Sequence, residues 1–205
     1  MILETLTVSP YETNCYIFGT GPGGSAFVID PGDNGSGILR RVEDLRLSVS
    51  CIILTHGHVD HIGALKEVKE TTGAPVAINL ADASMLQDNT LAALLGMQIH
   101  KLPKPDILLQ DGQKIESDTL TLKTIYTPGH TQGSICLLGK GLIFTGDTLF
   151  RDGIGRTDLP GGSYPEIMRS IKTLLFTLPD ETKVYPGHGP LTTIGDEKLN
   201  NPFFG

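Results

Sequence analysis

The sequence predicts one α/β domain, residues 1–205, whose β-sheets are covered by helices. Short apolar runs, many of them ending at Gly or Pro turns, recur along the chain, with helical segments between and after them. All the histidines except His100 follow such runs in Gly-bounded loops. Because functional sites are often built where strands end, this pattern predicts a functional centre at the ends of strands.

Apolar or alternating residues predict the strands, one pair of which is expected to form a hairpin across Gly139, Lys140 and Gly141. The strands are expected over residues 2–8, 14–18, 25–29, 51–54, 75–78, 113–126 (one or two strands), 135–138, 142–144 and 183–185. Helices are expected over residues 38–45, directly after His61, over 80–96 and over 163–178. In the last helix Ser163 and Glu166 have capping-box spacing, and Pro165 suits the first turn.

The composition restricts the partners and the compartment. A formal net charge of −7 without a Lys/Arg run argues against nucleic acid. No apolar run is long enough to span a membrane, and the N-terminus does not resemble a signal peptide. Cys15, Cys51 and Cys136 are far apart and are expected to be reduced thiols. We therefore expect a cytoplasmic protein that acts on a small molecule, and the sequence leaves its oligomeric state open.

The strongest functional signal is the segment His56-x-His58-x-Asp60-His61. Imidazole and carboxylate are common zinc ligands, and this many of them in a short loop can surround more than one ion. Alternation along an extended loop places His56 and His58 on one side, with Asp60 and His61 on the other as the chain enters a helix. Two pairs of ligands pointing two ways predict two adjacent metal ions.

Three further loops supply candidate ligands. His130 and His188 each follow a strand and a Pro-Gly turn, and Asp147 follows the apolar strand that ends at Gly146. A carboxylate has two oxygens and can bridge two cations. His100 has no such loop around it and is expected to be an exposed or capping residue.

Together these motifs resemble the metallo-β-lactamase-fold hydrolases, and the resemblance extends from Asp30-Pro31-Gly32 to the last histidine loop. It implies an αββα sandwich, with two mixed sheets flanked by helices and the site at one sheet edge. It also implies two divalent metal ions; Zn²⁺ is expected, and iron and manganese accept the same ligands. The first ion would be held by His56, His58 and His130, the second by Asp60, His61 and His188, with Asp147 between them.

Residues 146–150 and 155–162 further resemble a short bacterial branch of the glyoxalase II (hydroxyacylglutathione hydrolase) enzymes. This resemblance implies cleavage of a thioester such as S-lactoylglutathione by a metal-bound hydroxide, which Asp60 would orient besides serving as a ligand. Longer members carry a C-terminal helical extension that contacts glutathione. We expect no such extension here, because the chain ends at Gly205, so glutathione specificity does not carry over.

Three more residues are candidates for supporting roles. Asp30 either orients a ligand histidine from behind or caps a turn. Arg151 and Arg156 follow Asp147 on a Gly-rich loop and either bind a substrate carboxylate or form surface ion pairs. Arg156 is favoured, because the glyoxalase II resemblance places a basic substrate-binding residue at its position.

Other functions remain open on the same motifs. A persulfide dioxygenase would use His56, His130 and Asp147 as a facial triad on one ferrous ion. A lactonase or another ester hydrolase would share the two-metal chemistry and differ in its pocket. β-Lactamases are usually exported, and the nuclease branches usually have basic surfaces, so both fit less well. A non-catalytic metal-binding protein would need a closed four-ligand site or lost ligands, and neither is found.

Overall fold

The computed structural model describes residues 1–87 and 102–204, which form two six-stranded sheets and a small hairpin. In the first sheet the initial three strands are antiparallel and the later pairs are parallel. Its strands, hydrogen-bonded in chain order, are β1 (Ile2–Val8), β2 (Thr13–Gly19), β3 (Ser25–Ile29), β4 (Ser48–Ile53), β5 (Val76–Asn79) and β6 (Ile107–Leu109).

The second sheet is built from the C-terminal half. Its strands are β7 (Lys114–Ser117), β8 (Leu120–Tyr126), β9 (Ile135–Gly139), β10 (Leu142–Gly146), β13 (Lys183–Pro186) and β14 (Thr192–Thr193). They lie in the order β14-β13-β10-β9-β8-β7, and β10 and β13 are the parallel pair. A separate hairpin pairs β11 (Leu149–Phe150) with β12 (Gly153–Ile154).

Five α-helices are present in the described ranges, with 3₁₀ helices at Leu80–Gln87 and Leu175–Thr177. The α-helices are α1 (Gly35–Asp44), α2 (Val59–Ile62), α3 (Leu65–Thr72), α4 (Tyr164–Thr173) and α5 (Ile194–Asn200). None of the described helices is both long and apolar enough to cross a membrane.

Alternation along the strands produces a four-layer arrangement. In β2, Tyr16 and Phe18 face the core between the two sheets, while Cys15 and Ile17 belong to the core under α1 and α3. On the far side, a third apolar cluster, which includes Ile143, joins the outer face of the second sheet to α4 and α5. The predicted αββα sandwich is therefore confirmed.

Most of the expected strands are present within a few residues of their predicted bounds. The short strands β6, β11, β12 and β14 were not predicted, because two or three residues carry no periodic signal. The seven-residue helix α5 was not predicted either. The expected hairpin between β9 and β10 is confirmed. The expected reduced thiols are also confirmed, since the three cysteines are free and buried.

The helices differ more from expectation. The helix expected after His61 is divided at Gly63, where an added Cβ would lie 2.3 Å from the carbonyl oxygen of Gly32. The capping box at α4 was wrong: the Ser163 side chain makes no capping hydrogen bond, and its N–H, which a Glu166 carboxylate would need, donates to Gly129 O at 2.7 Å. Of the helix expected over 80–96, residues 80–87 are 3₁₀, and residues 88–96 and His100 lie outside the described ranges.

Strand direction determines where the functional loops meet. In the first sheet β3 and β4 are parallel. In the second sheet β8 and β10 both run antiparallel to β9, so they share a direction with each other and with β13. The loops that follow these strands carry all the predicted ligands and lie at one edge of the sandwich.

Candidate metal centre

The first half-site is formed by three imidazoles from two loops. His56 and His58 follow β4, and His130 follows β8; all three are almost fully buried. Nδ1 of His58 lies 2.8 Å from Nε2 of His130. One ring nitrogen from each of the three histidines lies within 4.8 Å of the other two, so the three could hold one ion.

The second half-site begins on the short helix α2, which carries Asp60 and His61. Nε2 of His61 lies 3.6 Å from Oδ2 of Asp60 and 3.3 Å from Nε2 of His188, which arrives from the loop after β13. Nε2 of His188 is 3.2 Å from the same Asp60 oxygen. These three groups also converge closely enough to hold one ion.

Asp147 lies between the two half-sites. Its Oδ2 is 3.5 Å from Nε2 of both His130 and His188, and its Oδ1 is 3.3 Å from Nε2 of His61. One carboxylate therefore faces histidines of both groups, which is the position of a bridging ligand. Close packing maintains this geometry: a Cβ on Gly187 would lie 2.1 Å from Asp147 Oδ1.

Hydrogen bonds behind the rings determine which nitrogen is free. His61 Nδ1 lies 3.0 Å from Asp30 Oδ2, and His130 Nδ1 lies 2.8 Å from the carbonyl oxygen of Arg156. Carboxylate and carbonyl oxygens only accept, so each Nδ1 carries the proton and donates it. In the neutral rings Nε2 then presents a lone pair to the centre.

The same argument applies to two more histidines. Nδ1 of His188 donates to the carbonyl oxygen of Tyr11 at 2.9 Å. Nδ1 of His56 lies 3.1 Å from the hydroxyl of Thr55, which donates its own proton to Asp30 and must therefore accept from the ring. Nε2 of His56 is again left with a lone pair. His58 is the exception, because it turns Nδ1 towards the cluster.

The electrostatics differ between the half-sites. Burial and the neighbouring His61 and His130 rings hold the pKa of His56 well below its usual range. Burial and His130 lower the pKa of His58 to about 4. Burial also lowers the pKa of His61, but the carboxylates of Asp147 and Asp30 outweigh it, so the net shift is well above the ordinary value.

The three remaining titratable groups are also shifted by burial and by neighbouring charges. Burial would lower the pKa of His188, yet its hydrogen bond to Asp60 and the charge of Asp147 raise the pKa overall. Burial would raise the pKa values of both carboxylates. The hydrogen bond from His188 lowers that of Asp60, and the charge of His61 lowers that of Asp147, to a net value below the usual range. The carboxylates of the second half-site are therefore ionised, and their charge favours a proton or a cation at the neighbouring rings.

The residues fit divalent cations. Nε2 of His56 and Oδ1 of Asp147 are buried and make no hydrogen bond within the described ranges, a cost that a bound ion would remove. Lone pairs and carboxylate oxygens converge on both sides of Asp147, as zinc or iron coordination requires. This cluster of imidazoles and carboxylates implies divalent metal ions. Asp60, Asp147 and His188 retain 11–26% side-chain exposure, so access lies on their side.

The three residues predicted to support the site, Asp30, Arg151 and Arg156, lie in different surroundings. Asp30 lies behind the centre as expected: its two oxygens accept from Thr55 N, Thr55 Oγ1 and His61 Nδ1, so it orients His61 and is not itself a free ligand. The Arg156 side chain is 59% exposed and forms a bidentate ion pair with Asp158, while its carbonyl orients His130. Arg151 lines a separate surface cleft that also contains Lys183. A substrate role for either arginine stays a prediction.

Two supporting residues were not identified from the sequence. Asp82, in the 3₁₀ helix after β5, is 1% exposed and accepts hydrogen bonds from both loops of the first half-site. Asn14 at the start of β2 donates to the carbonyl oxygens of Pro186 and Gly189 on either side of His188. The available signals were weak: a single acidic residue in an apolar segment and a polar residue inside a predicted strand.

Comparison with known proteins agrees with this geometry. A family model described as the metallo-beta-lactamase superfamily matches residues 8–188, a range that contains every predicted ligand. Hydroxyacylglutathione hydrolase GloC of Haemophilus influenzae is 36% identical over 213 residues, covering 99% of this chain and 98% of that protein. This relative supports the resemblance to the glyoxalase II group.

Three solved structures are similar over nearly the whole chain. The BLEG-1 B3 metallo-beta-lactamase has a TM-score of 0.94 at 35% identity, covering 99% of both chains. TTHA1623 in a di-iron-bound form has a TM-score of 0.89 at 34% identity, covering 98% of this chain and 99% of its own. ETHE1 from Myxococcus xanthus has a TM-score of 0.85 at 33% identity, covering 98% of this chain and 84% of its own.

Proposed function

The chain belongs to the metallo-beta-lactamase superfamily and is a metallo-hydrolase of that group; from this premise we propose that it hydrolyses a thioester such as S-lactoylglutathione. The observation that carries the proposal is the position of Asp147 between two complete half-sites. A two-metal hydrolytic centre needs such an arrangement, whereas a structural zinc site is closed by four protein ligands around one ion.

The assignment of ligands follows the convergence of atoms. We assign His56, His58 and His130 to the first ion, Asp60, His61 and His188 to the second, and Asp147 to both. The two ions, when bound, supply a hydroxide near neutral pH and polarise the carbonyl that it attacks. Zn²⁺ is the proposed metal, and the di-iron form of TTHA1623 makes iron the alternative to test.

The chain's own groups orient the reacting atoms. Asp60 is partly exposed, and its Oδ2 accepts a hydrogen bond from Thr13 Oγ1 at 3.3 Å, so the carboxylate is held at the open side of the centre. From there it would orient the attacking hydroxide. The three cysteines lie in three separate apolar clusters, so no cysteine is placed to act as a nucleophile.

The thioester substrate is supported by the likeness to GloC, which is named a hydroxyacylglutathione hydrolase. The second candidate is a persulfide dioxygenase with one ferrous ion on His56, His130 and Asp147, which the likeness to ETHE1 favours. Asp60, His61 and His188 converge closely enough to hold the second ion that the hydrolase would use. A lactonase or β-lactam hydrolase would use the same centre with a different acyl pocket.

The test combines elemental analysis of the purified chain with anaerobic assays on S-lactoylglutathione, a lactone and a β-lactam, and with an aerobic oxygen-uptake assay on a persulfide. We expect about two metal ions per chain and thioester cleavage that does not require oxygen. His58→Ala should abolish cleavage, whereas Asp118→Asn, which changes an exposed carboxylate bonded to Ser25 N, should not. One iron per chain, together with oxygen uptake on a persulfide, would refute the hydrolase proposal and support the dioxygenase. Faster turnover of the lactone or the β-lactam than of the thioester would refute a thioester as the substrate.

A further inference from the structure

We propose that Asp82 is a positioning residue for the first half-site, joining the loop of His56 and His58 to the loop of His130. The proposal rests on the two-metal centre of the proposed function. Asp82 is not a candidate ligand itself, because both of its oxygens already accept hydrogen bonds. It acts on the ion through the two loops that it holds together.

The contacts connect one carboxylate to both loops. Its Oδ2 accepts from the N–H of Gly57, the residue between His56 and His58, at 3.1 Å. The same oxygen accepts from the hydroxyl of Thr131, the residue after His130, at 2.7 Å. Its Oδ1 accepts from the N–H of Gly133 at 2.7 Å. The carboxylate therefore connects two backbone segments that together carry all three imidazoles.

Close approach on each side makes this connection tight. A Cβ on Gly133 would lie 2.6 Å from Asp82 Oδ1, and a Cβ on Gly57 would lie 2.7 Å from Cβ of Met85, in the same 3₁₀ helix as Asp82. Glycine at both positions lets the backbone N–H groups reach the carboxylate. The two loops come from different sheets, so their separation is not determined by strand pairing within either sheet.

The charge of Asp82 also favours an ion in the first half-site. The side chain is 1% exposed, and its three donors are two amides and a hydroxyl, none of which carries a positive charge. A buried carboxylate with neutral partners is unfavourable unless a positive charge lies near it. A cation bound by His58 and His130 would provide that charge just beyond the loops.

The second half-site has separate supports. Asp30 orients His61, the carbonyl of Tyr11 orients His188, and Asn14 holds the loop around His188. Loss of Asp82 should therefore weaken one of the two metal sites and spare the other. A general loss of stability would weaken both, so the selectivity distinguishes positioning from a merely structural role.

The experiment titrates the metal-free full chain with Zn²⁺ against a chromophoric chelator and repeats the titration with Co²⁺, whose absorption reports the ligand set. His58→Ala and His188→Ala identify which binding step belongs to which half-site. Asp82→Ala should weaken the first-half-site step by about 10–100-fold and change the other step by less than about twofold. Asp118→Asn, a distant carboxylate that also accepts from a backbone N–H, should change neither.

Thr131→Val keeps the proposal falsifiable if Asp82→Ala does not fold. It removes one of the three hydrogen bonds, and we expect a smaller loss in the same step, restored by Thr131→Ser. Equal weakening of both steps, or no weakening of the first, would overturn the role of Asp82. Binding of a single ion by the parent chain would instead refute the two-metal function, and Asp82 would then be judged by its effect on that ion.

Discussion

Nε2 of His61 and Nε2 of His188 face each other at 3.3 Å, although each ring already donates its Nδ1 proton to an oxygen behind it. In the neutral rings two lone pairs would therefore meet, beside the carboxylate of Asp60. A proton or a metal ion between them removes the repulsion. This pair explains why the second half-site competes for protons as well as for metal.

The first prediction concerns pH. The carboxylates around His61 and His188 raise both pKa values above the ordinary one, so in the metal-free chain these rings hold protons that an ion must displace. As pH rises through a raised pKa, the proton leaves and metal affinity increases. The pKa values of His56 and His58 are lowered, that of His58 to about 4, so these two rings have little proton to lose near neutrality.

Calorimetric metal titrations in buffers of different ionisation enthalpy measure this proton release. We expect more protons released at the second half-site than at the first, and a steeper gain in its affinity from mildly acidic to mildly alkaline pH. His188→Ala should reduce the release. Equal proton release at both half-sites would contradict the assignment.

A second prediction concerns Asp30. Asp30→Asn replaces one oxygen by an NH₂ group, which cannot accept from both Thr55 and His61. We expect metal affinity at the second half-site to fall by about 10–100-fold, as is typical when the partner of a ligand histidine is changed. The matched control is Asp33→Asn, an exposed carboxylate in the same loop that bonds only to Asn34 N among the described contacts. Equal effects of the two substitutions would show that Asp30 does not orient His61.

A third prediction uses close packing around Asp147. In Gly187→Ala the new Cβ would lie 2.1 Å from Asp147 Oδ1 and 2.8 Å from His61 Cε1, so the bridging carboxylate must move. We expect metal content to drop below two ions per chain and hydrolysis to fall at least about tenfold, consistent with overpacking costs of about 1–3 kcal/mol. Gly153→Ala, whose Cβ meets only ordinary contacts, is the control. Unchanged metal content in Gly187→Ala would rule out this constraint.

A fourth prediction tests the substrate role of Arg156. If its guanidinium binds a substrate carboxylate, Asp158 competes for the same group through its bidentate pair. Arg156→Ala should then raise KM for an anionic thioester about three- to tenfold, a modest effect because the site is exposed. Asp158→Ala should lower the same KM. The backbone carbonyl that orients His130 is retained in both variants.

Opposite changes in KM for the two variants, with a neutral thioester unaffected in both, would support carboxylate recognition. Equal changes in kcat for anionic and neutral thioesters would show instead that the substitution disturbs the loop and thereby His130.

Sequence alone was sufficient for the main architecture and for the candidate ligands. Long alternating strands such as Ile2–Val8 and the strand–loop–histidine pattern are local signals, so they can be recognised in the sequence without knowledge of tertiary contacts. Short elements such as Thr192–Thr193 form only because a neighbouring strand pairs with them, and no local pattern predicts that. Where the helix after His61 is interrupted, the Ala64 N–H donates to the carbonyl oxygen of Pro31 at 3.0 Å, a distant contact that no local pattern predicts.

The metal centre shows the same contrast between what the sequence determines and what only the tertiary structure determines. Residue type and spacing determined which side chains are able to bind metal, because imidazole and carboxylate chemistry belongs to the residue itself. Only the tertiary structure decided which nitrogen of each ring is free, that Arg156 faces Asp158, and that Asp82 joins two loops. Those properties depend on hydrogen bonds between residues far apart in the chain. The sequence by itself therefore determined which chemical groups are available to this protein, and long-range packing decided how those groups are oriented.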